Sequence, residues 1–427
     1  MSEKKKRRKK TEEEQKEHKK PWQEVYATVD EIKAFLADRI FLRHNVVTGR
    51  TEFRLPSDYV NDGTEWGPIS DRAVNSLWAE MSEEKPTRVQ DVYRVIESDF
   101  VPDFHPFRYY LEHLPPWDGQ NDYILEMSVS VQVKGDVDEQ LQFAGYLKKW
   151  LVGMVAGWVD DTVVNNVILV LIGEQGSYKT TWFNYLLPPE LSRYFYTKTN
   201  SGRMGRDDLL TLAQYGLVCC EELDTMRPSE LNQLKAAVTM PSIDERAAYA
   251  HFHEHRKHIA SFCGTGNNPQ FLSDPTGSRR WLPFEVERID SPRDRPFHYE
   301  GIYAEAYALY RQGFQFWFTQ EEIRLLSRHN EAFQAPQSEL ELVDVFFRKP
   351  QRPEEGEFMP VSRAMQIVGG NAVCKLSNTL LGQAFSKRGF AHKYRHGVKG
   401  YIVVQRDGGQ IKEYLRRLAD DADEDAF

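Results

Sequence analysis

The order of apolar and polar positions predicts alternating strands and helices in the middle of the chain. A near-continuous β-branched run, VVNNVILVLIG over residues 163–173, is typical of a buried parallel strand. Two further apolar runs, YGLVCCEELD (215–224) and HIASFCGTGNN (258–268), end in polar residues and are separated by helical segments. We therefore expect an α/β core over residues 161–300, with functional residues at the carboxyl ends of its strands.

The segments before and after this core have other patterns. Helical spacing in VDEIKAFLADR and a strand–turn–strand pattern in IFLRHNVVTGRTEFRL indicate an α+β accessory region at 21–104. Residues 105–160 are expected to form a helical collar with one long helix from Asp138 to Trp158. Residues 301–337 are predicted to be a helical linker.

The C-terminal part of the chain predicts a separate module. Residues 338–408 are predicted to contain three helices and a final hairpin that turns at His396–Gly397, which is the outline of a winged helix.

Both ends of the chain are strongly charged. We expect residues 1–20 to be a solvated tail or a polybasic arm that touches nucleic acid, and residues 409–427 to be a disordered acidic tail.

Composition narrows the class of protein. Hydrophobic residues make up 41% of the 427 positions, and 64 acidic against 55 basic residues give a net charge of −9. Such a chain contacts nucleic acid only through local basic patches. No apolar run approaches the ~18 residues of a membrane-spanning helix, no secretory signal is visible, and the four cysteines form no CxxC pair. We expect a cytoplasmic protein with no membrane partner, zinc site or disulfide framework.

A glycine-bearing segment carries the strongest motif. The segment GEQGSYKT (173–180) directly follows the predicted strand and precedes a helical pattern. In a phosphate-binding loop, backbone N–H groups cradle phosphates, a lysine neutralises the β/γ charge, and a Ser or Thr hydroxyl holds Mg²⁺. Tyr178 stands where a second glycine is usual, and a tight strand–helix turn with an incidental lysine is the alternative. The expected ATP- and Mg²⁺-binding residues are Gly173, Gly176, Ser177, Lys179, Thr180 and Thr181.

The second predicted strand ends in acids. In LVCCEELD, one carboxylate is expected to hold Mg²⁺ through its water shell and a second to polarise the attacking water. Glu221 takes the metal position and Glu222 the catalytic position, while Asp224 lies just beyond and could replace either. A surface turn with three solvated acids is the alternative.

Amides and arginines follow the third predicted strand. Asn267 is the favoured candidate to orient the lytic water or sense the γ-phosphate, and Asn268 is its neighbour. In DPTGSRRWLPF, Arg279 and Arg280 occupy a turn before an apolar run. An arginine near the γ-phosphate spreads developing charge and often comes from a neighbouring subunit. A pair of surface arginines is the alternative.

Together these motifs resemble the virulence-associated E (VapE-like) family of P-loop ATPases. This family is grouped with the superfamily 3-type helicases of phages, plasmids and mobile elements, within the AAA+ class. The resemblance covers residues 105–285, and Arg246 and Tyr249 form an Arg-x-x-Tyr step in the family's order. It is carried by PFRYYLEHLPPWDG, GEQGSYKTTW, EELDTMRPSELNQLKAAVT and DERAAYAHFHEHRKHIASFCGTGNNPQFLSDPTGSRRWLPF.

The resemblance implies an α/β P-loop NTPase core with a helical N-terminal region and a C-terminal winged-helix-like module. It implies that the loop lysine and threonine hold phosphates and Mg²⁺, and that Glu222 acts with Glu221 beside it. Asn267 is then the sensor, and the arginine pair supplies a finger that acts in trans. Tyr178 and His258 depart from the family, since relatives have glycine at the first position and often arginine at the second.

Two basic segments are the expected nucleic-acid contacts. The resemblance implies that residues 246–258 form a hairpin whose basic tip enters a central pore, and residues 386–401 add cations near a helix end. A plain structural hairpin, zinc ligation by three alternating histidines (His251, His253 and His255) and a subunit-docking face are the alternatives. The expected DNA-contacting residues are His255, Arg256, Lys257, His258, Lys387, Arg388, Lys393 and Arg395.

The function expected from these features is an ATP-dependent DNA helicase or translocase of a mobile element or prophage. It would act as a homo-oligomeric ring on single-stranded DNA, with ATP hydrolysed at subunit interfaces. Residues 1–104 are too short for the primase domain of full primase–helicases, so a separate primase or replication protein is an expected partner. A DNA- or partner-binding ATPase switch without unwinding activity, and a small-molecule kinase, are the alternatives.

Overall fold

The structure is a computed structural model, and it describes residues 25–56, 65–199, 205–245, 254–272, 278–335, 338–370 and 376–424. The chain divides into two compact units, with the boundary between Gln334 and Ala335. Separate clusters of buried apolar side chains stabilise the two units.

The first unit begins with a small α+β region. Its strands pair in the order β3-β2-β1-β4, and β1 and β2 form an antiparallel hairpin, as the sequence predicts. The first helix begins at a capping box in which Thr28 and Glu31 each accept the backbone N–H of the other. The elements are α1 (Val29–Arg39), β1 (Phe41–Asn45), β2 (Arg50–Arg54), β3 (Gly67–Pro68), α2 (Asp71–Glu84), α3 (Val89–Ile96) and β4 (Asp103–Phe104).

A larger mixed α/β region completes the first unit. Its elements are α4 (Pro106–Glu112), α5 (Tyr123–Ser128), β5 (Val131–Val133), α6 (Val137–Val159), β6 (Ile168–Ile172), α7 (Lys179–Asn184), β7 (Phe195–Lys198), α8 (Arg206–Gln214), β8 (Leu217–Cys220), α9 (Pro228–Val238), β9 (Ser242–Glu245), β10 (Glu254–Lys257), β11 (Ser261–Gly266), β12 (Trp281–Ile289), α10 (Tyr299–Arg311) and α11 (Gln320–His329).

Six of these strands form a central sheet in the order β5-β12-β6-β11-β8-β7. The five strands from β12 to β7 run parallel, and β5 pairs antiparallel with β12 at the edge. Every residue of β6, β8 and β11 is buried, which agrees with their apolar sequences. Because these strands are parallel, the loops that follow β6, β8 and β11 lie along the same edge of the sheet.

The long helix α6 packs on this sheet through two tryptophans. The indole N–H of Trp150 donates to the carbonyl of Phe262 at 3.0 Å, and that of Trp158 donates to the carbonyl of Gly216 at 3.1 Å. Both indoles are buried with their polar atom paired, so they stabilise the contact without an unsatisfied donor. The predicted helix from Asp138 to Trp158 agrees with the observed one to within a residue at each end.

The strand predicted at 163–173 is shorter in the structure. Only Ile168–Ile172 forms a strand. The residues before Ile168 are irregular, because the buried side chain of Asn165 is held by its own hydrogen bonds. Its amide donates to the carbonyl of Trp150 at 3.0 Å and to the hydroxyl of Ser261 at 3.1 Å. A buried amide satisfied by these two partners fixes an irregular backbone where the β-branched sequence favours a strand.

Of the segment predicted to be a linker, 301–337, residues 301–334 belong to the first unit. Within it, α10 carries the buried Tyr303, whose hydroxyl donates to the carbonyl of Leu186 at 2.8 Å. Leu326 of α11 is also fully buried in the same apolar cluster. No helix of the described residues is both long and apolar enough to cross a membrane.

Within its described residues, the second unit contains a helix, two short strands, two helices and a hairpin, followed by a C-terminal helix. The hairpin turns at His396 and Gly397, which both have positive φ angles (49° and 78°), as a two-residue turn requires. The acidic tail expected to be disordered is helical as far as Glu424, which corrects that prediction. The elements are α12 (Ser338–Phe346), β13 (Phe347–Arg348), β14 (Glu357–Pro360), α13 (Val361–Gly369), α14 (Asn378–Lys387), β15 (His392–Arg395), β16 (Val398–Gln405) and α15 (Gly408–Glu424).

A buried carboxylate joins the accessory sheet to the rest of the first unit. Glu52 of β2 is 2% exposed, and it binds Arg43 of β1 at 2.7 Å and Arg193 at 2.5 Å. The amide of Asn45 donates to Glu52 and to the hydroxyl of Tyr194, in both cases at 2.7 Å. One buried carboxylate is therefore shared by two guanidinium groups.

We predict that Glu52→Gln lowers the free energy of unfolding by about 3 kcal/mol, because both guanidinium groups lose their counter-charge in a buried site. Urea denaturation measures the change. Glu84→Gln is the matched control: Glu84 pairs with Arg39, but its side chain is 63% exposed, so a loss below about 0.5 kcal/mol is expected. Equal losses in the two variants would contradict a special role for the buried carboxylate.

Candidate functional site

The segment 173–178 forms a closed turn between the central strand β6 and helix α7. The N–H of Gly173 donates to the carbonyl of Gly266 at the end of β11, at 3.2 Å. A Cβ at Gly173 would lie 3.0 Å from the carbonyl oxygen of Val286, so only glycine fits without displacement. Gly176 has a φ of 85°, which glycine adopts without steric cost. These glycines allow the chain to turn sharply beside two neighbouring strands.

Lys179 occupies the centre of this turn. Its ammonium group donates to the carbonyls of Gly173 at 2.8 Å and Glu174 at 2.7 Å, and to the hydroxyl of Ser177 at 3.2 Å. The residue is 7% exposed, and burial lowers the pKa of Lys179 while the carboxylate of Asp224 opposes that shift. A buried ammonium held by neutral carbonyls lacks a close counter-charge, so the turn is electrostatically suited to an anion.

Tyr178 has an unusual backbone conformation in the same turn. Its φ and ψ angles are 63° and 12°, in the left-handed region, which costs a non-glycine residue about 1–2 kcal/mol. The side chain is 48% exposed. Among the described residues, the phenol hydroxyl makes no hydrogen bond and the ring makes no contact with another ring. The ring therefore points out of the turn and leaves it open, and nucleotide binding requires an open turn.

The acidic segment after β8 brings Asp224, rather than Glu221 or Glu222, into contact with the neighbouring strand end. Oδ2 of Asp224 accepts the N–H of Asn268 at 3.1 Å. Its other oxygen, Oδ1, is buried and has no hydrogen-bond partner among the described residues. A buried carboxylate oxygen without a partner fits a site that takes up a hydrated Mg²⁺ ion.

The two glutamates before Asp224 are less enclosed. Glu221 is half-buried, and its N–H donates to the carbonyl of Lys198 at 3.1 Å. Glu222 is exposed and has a positive φ of 53°. Both therefore lie at the same strand end as predicted, with carboxylates free to turn toward a ligand.

The end of β11 supplies the amides. The side-chain oxygen of Asn268 accepts the N–H of Gln270 at 2.9 Å, so this side chain is used within its own turn. Asn267 is exposed, and its amide forms no hydrogen bond among the described residues. This difference agrees with Asn267, and not its neighbour, as the residue available to a ligand.

Arg279 and Arg280 lie at the opposite edge of the sheet from this turn. They precede Trp281, the first residue of β12, which pairs with Ile168, the first residue of β6. The turn follows Ile172, the last residue of β6. The five residues of β6 span about 13 Å from Ile168 to Ile172. The two arginines therefore do not reach the turn of their own chain.

The predicted DNA-binding hairpin also lies at this opposite edge. In β10, Arg256 pairs with Ile243 and Lys257 with Ser242, so both cations lie at the base of the hairpin and not at its tip. His251 and His253 lie outside the described residues, as do Arg246 and Tyr249. His255 is exposed.

His258 is corrected from a DNA contact to a core residue. It is 1% exposed, and its Nδ1 lies 2.7 Å from the carbonyl oxygen of Met240. Burial lowers the pKa of His258, so the ring is neutral and carries no charge to offer a phosphate. Spacing alone did not distinguish this residue from its exposed neighbours.

The C-terminal cations surround the hairpin of the second unit. Lys387 ends α14 and is exposed, while Arg388 forms an ion pair with Asp344. Lys393 and Arg395 belong to the exposed strand β15, and the guanidinium of Arg395 lies 4.9 Å from the ring centre of Phe358. Lys387, Lys393 and Arg395 are exposed, whereas Arg388 is engaged by a carboxylate.

A family model, described as the virulence-associated protein E-like domain, matches residues 111–335, which is more than half of the chain. The chain belongs to the virulence-associated protein E-like family. The match spans β6 to β12 and so includes every predicted site residue of the first unit. No curated protein matches the sequence.

Among solved structures, the apo C-terminal region of NrS-1 is similar to this VapE-like chain. One structure is 12% identical with a TM-score of 0.45, and its A form is 12% identical with a TM-score of 0.47. A further A-form structure is 11% identical with a TM-score of 0.46. Each alignment covers 88% of this chain and 98% of the NrS-1 chain.

The VapE-like site thus has two separate halves. One edge of the sheet carries the turn, the acids and the exposed amide, and the other carries the arginines and the hairpin base. Sequence reasoning named Asp224 only as a substitute for the glutamates. The structure distinguishes it, because the 3₁₀ turn Leu223–Thr225 brings its carboxylate to the N–H of Asn268.

We predict that Tyr178→Gly raises the free energy of unfolding by up to about 1 kcal/mol. Relief of the left-handed strain, about 1–2 kcal/mol, exceeds the extra entropy that glycine loses on folding, about 0.5–1 kcal/mol. Urea denaturation provides the measurement. Tyr178→Phe keeps the strain and serves as the control. A destabilised Tyr178→Gly variant would show that the phenol ring makes a contact that outweighs the strain.

Proposed function

We propose that this protein is an ATP-dependent DNA helicase-like or translocase-like ATPase of a mobile element or prophage, which acts as a ring of identical subunits. The observation that carries the proposal is the buried ammonium of Lys179, held only by carbonyls and a hydroxyl of its own turn. A carboxylate with an orphaned oxygen, that of Asp224, lies close enough to influence its pKa. Together they suit a phosphate loop and its metal-holding acid.

ATP binding exchanges the partners of Lys179. The ammonium group leaves the carbonyls of Gly173 and Glu174 and binds the β- and γ-phosphates, which supply the charge that the turn lacks. Backbone N–H groups near Gly176 and Ser177 surround the β-phosphate. Two hydrogen bonds from the ammonium to neutral carbonyls are exchanged for two to anionic phosphate oxygens, so the exchange favours the triphosphate.

The hydroxyl of Thr180 and the carboxylates of Glu221 and Asp224 would hold Mg²⁺, which neutralises charge on the β- and γ-phosphates when bound. Glu222 accepts a proton from the attacking water, and its exposed position leaves it free to turn toward the γ-phosphate. Asn267 orients the same water through its amide, which is not engaged elsewhere in the described chain.

The arginine pair supports a shared active site. Arg279 and Arg280 are separated from their own turn by the length of β6, so in this proposal they stabilise the transferred phosphoryl group at the turn of a neighbouring subunit. A repeated contact of one edge with the opposite edge of the next subunit is heterologous, and it closes into a ring when the rotation permits.

DNA contacts are assigned to Arg256 and Lys257 at the hairpin base and to Lys387, Lys393 and Arg395 in the second unit, whose helix–helix–hairpin order supports a winged helix.

An ATPase switch without unwinding activity is the second candidate, because Tyr178 places an exposed aromatic ring at the turn. A fork-unwinding assay separates the two: strand separation that requires ATP favours the helicase, and hydrolysis without it favours the switch.

We predict that Lys179→Ala weakens ATP binding about 100-fold, because two charge-assisted hydrogen bonds of roughly 1.5–3 kcal/mol each are lost, partly offset by reduced desolvation. Titration with a fluorescent ATP analogue measures the affinity. Lys33→Ala, in α1 of the accessory region, is the control and should bind ATP like the unmodified protein. Unchanged affinity in Lys179→Ala would remove the proposed phosphate loop.

A mixing experiment tests the shared site. The Lys179→Ala variant and the Arg279→Ala/Arg280→Ala double variant are each expected to be inactive in ATP hydrolysis. In an equal mixture, about one quarter of randomly formed interfaces pair an intact turn with an intact arginine pair, so hydrolysis should partly return. A mixture as inactive as its components would show that the arginines do not act across a subunit interface.

A further inference from the structure

A cleft of about 580 Å³ lies between the accessory sheet and the base of the β9–β10 hairpin. Three cations line it, namely Arg108 of α4 and the hairpin residues Arg256 and Lys257. Two acids, Asp103 and Asp161, also face it. Its remaining polar lining comes from three histidines: His44, His105 and His255.

The turn between β1 and β2 fixes one of the cations. Nη1 of Arg256 donates to the carbonyl of Thr48 at 3.5 Å. Gly49 has a φ of 64°, and a Cβ there would lie 2.3 Å from Nη2 of Arg256. The accessory sheet therefore holds this guanidinium at the wall of the cleft, and glycine leaves it room.

The other two cations share one exposed acid. Nη2 of Arg108 donates to Oδ1 of Asp161 at 3.1 Å and to the carbonyl of Val159 at 3.1 Å. Nζ of Lys257 donates to the carbonyl of Asp160 at 2.6 Å and lies 3.9 Å from Oδ1 of Asp161. The side chain of Asp161 is 76% exposed, so water screens these ion pairs and an incoming anion can replace it.

The histidine beside Arg108 adds no charge at neutral pH. Burial, and then the charge of Arg108, lower the pKa of His105 to about 4. Its ring accepts the N–H of Arg108 at 3.3 Å and so caps helix α4. The attraction of the cleft for anions therefore depends on Arg108, Arg256 and Lys257.

We propose that this cleft binds the sugar–phosphate backbone of single-stranded nucleic acid, with Arg108 and the β1–β2 turn as parts of the binding surface. The inference rests on the proposed function, and it moves the contact from the tip of the hairpin to its base. A phosphate takes the place of Asp161 as the partner of Arg108 and Lys257, while Arg256 binds the next phosphate. Asp161 then sets the affinity by competing for the same two cations.

The test uses the full chain and a fluorescein-labelled oligothymidylate, with binding followed by fluorescence anisotropy over a range of salt concentrations. Asp161→Asn should tighten binding severalfold, because it frees two cations without changing side-chain shape. Arg108→Gln should weaken binding and flatten the dependence of log K on log salt by about 0.7, the value of one phosphate contact on a single strand. Arg288→Gln is the matched control; its side chain is 63% exposed and pairs with Asp290 outside the cleft, so no change is expected.

Unchanged or weaker binding by Asp161→Asn, or an unchanged salt slope in Arg108→Gln, would overturn the proposal. Arg256→Ala/Lys257→Ala distinguishes this failure from failure of the proposed function. If that variant loses DNA-stimulated ATP hydrolysis while Arg108 and Asp161 have no effect, the cleft is excluded and the proposed function stands. If the unmodified chain does not bind oligothymidylate but binds labelled polyglutamate more tightly with Asp161→Asn, the cleft is a site for an acidic peptide instead.

Discussion

The parallel register of β6 between β11 and β12 is the constraint on which the rest of the molecule depends. Ile168 lies beside Phe262 on one side and Trp281 on the other, and this register continues to Ile172. It brings the turn after β6 next to the end of β11, where Gly173 binds the carbonyl of Gly266. A shift of one residue would exchange the two faces of a strand that is buried on both sides and would separate the turn from Asp224 and the amides. Stability of the sheet and geometry of the site are therefore set by the same interactions.

The same register explains why the site is divided. Loops that follow parallel strands lie at one edge, and loops that precede them lie at the other. The turn, the acids and Asn267 belong to the first set, whereas Arg279, Arg280 and the hairpin base belong to the second. No rotation of a side chain can bridge a strand of five residues, so the division holds for any rearrangement that preserves the sheet. It is a property of the topology.

Much of this could be predicted from the sequence, because the signals are local. The β-branched run before Gly173, the length of α6 and the turn at His396–Gly397 each depend on residues close together in the chain. Features set by distant partners were not predictable. Asn165 shortens β6 through Ser261, Glu52 joins the accessory sheet to Arg193, and His258 is buried against Met240. Likewise, the spacing of the acids left Asp224 as one of three choices, and only its contact with Asn268 distinguishes it.

Backbone strain gives independent support for the location of the site. Within the described ranges, three residues other than glycine have positive φ angles: Tyr178, Glu222 and His396. His396 is explained by its two-residue hairpin turn. Tyr178 follows β6 and Glu222 follows β8, the two strands on either side of β11. Each left-handed conformation costs about 1–2 kcal/mol. Strain of this kind persists where function requires a particular backbone direction. At Glu222 the direction turns the chain so that Asp224 returns toward β11, and at Tyr178 it turns the chain so that the ammonium of Lys179 enters the loop. The two strained residues therefore set the direction of the chain at the points that place Lys179 and Asp224.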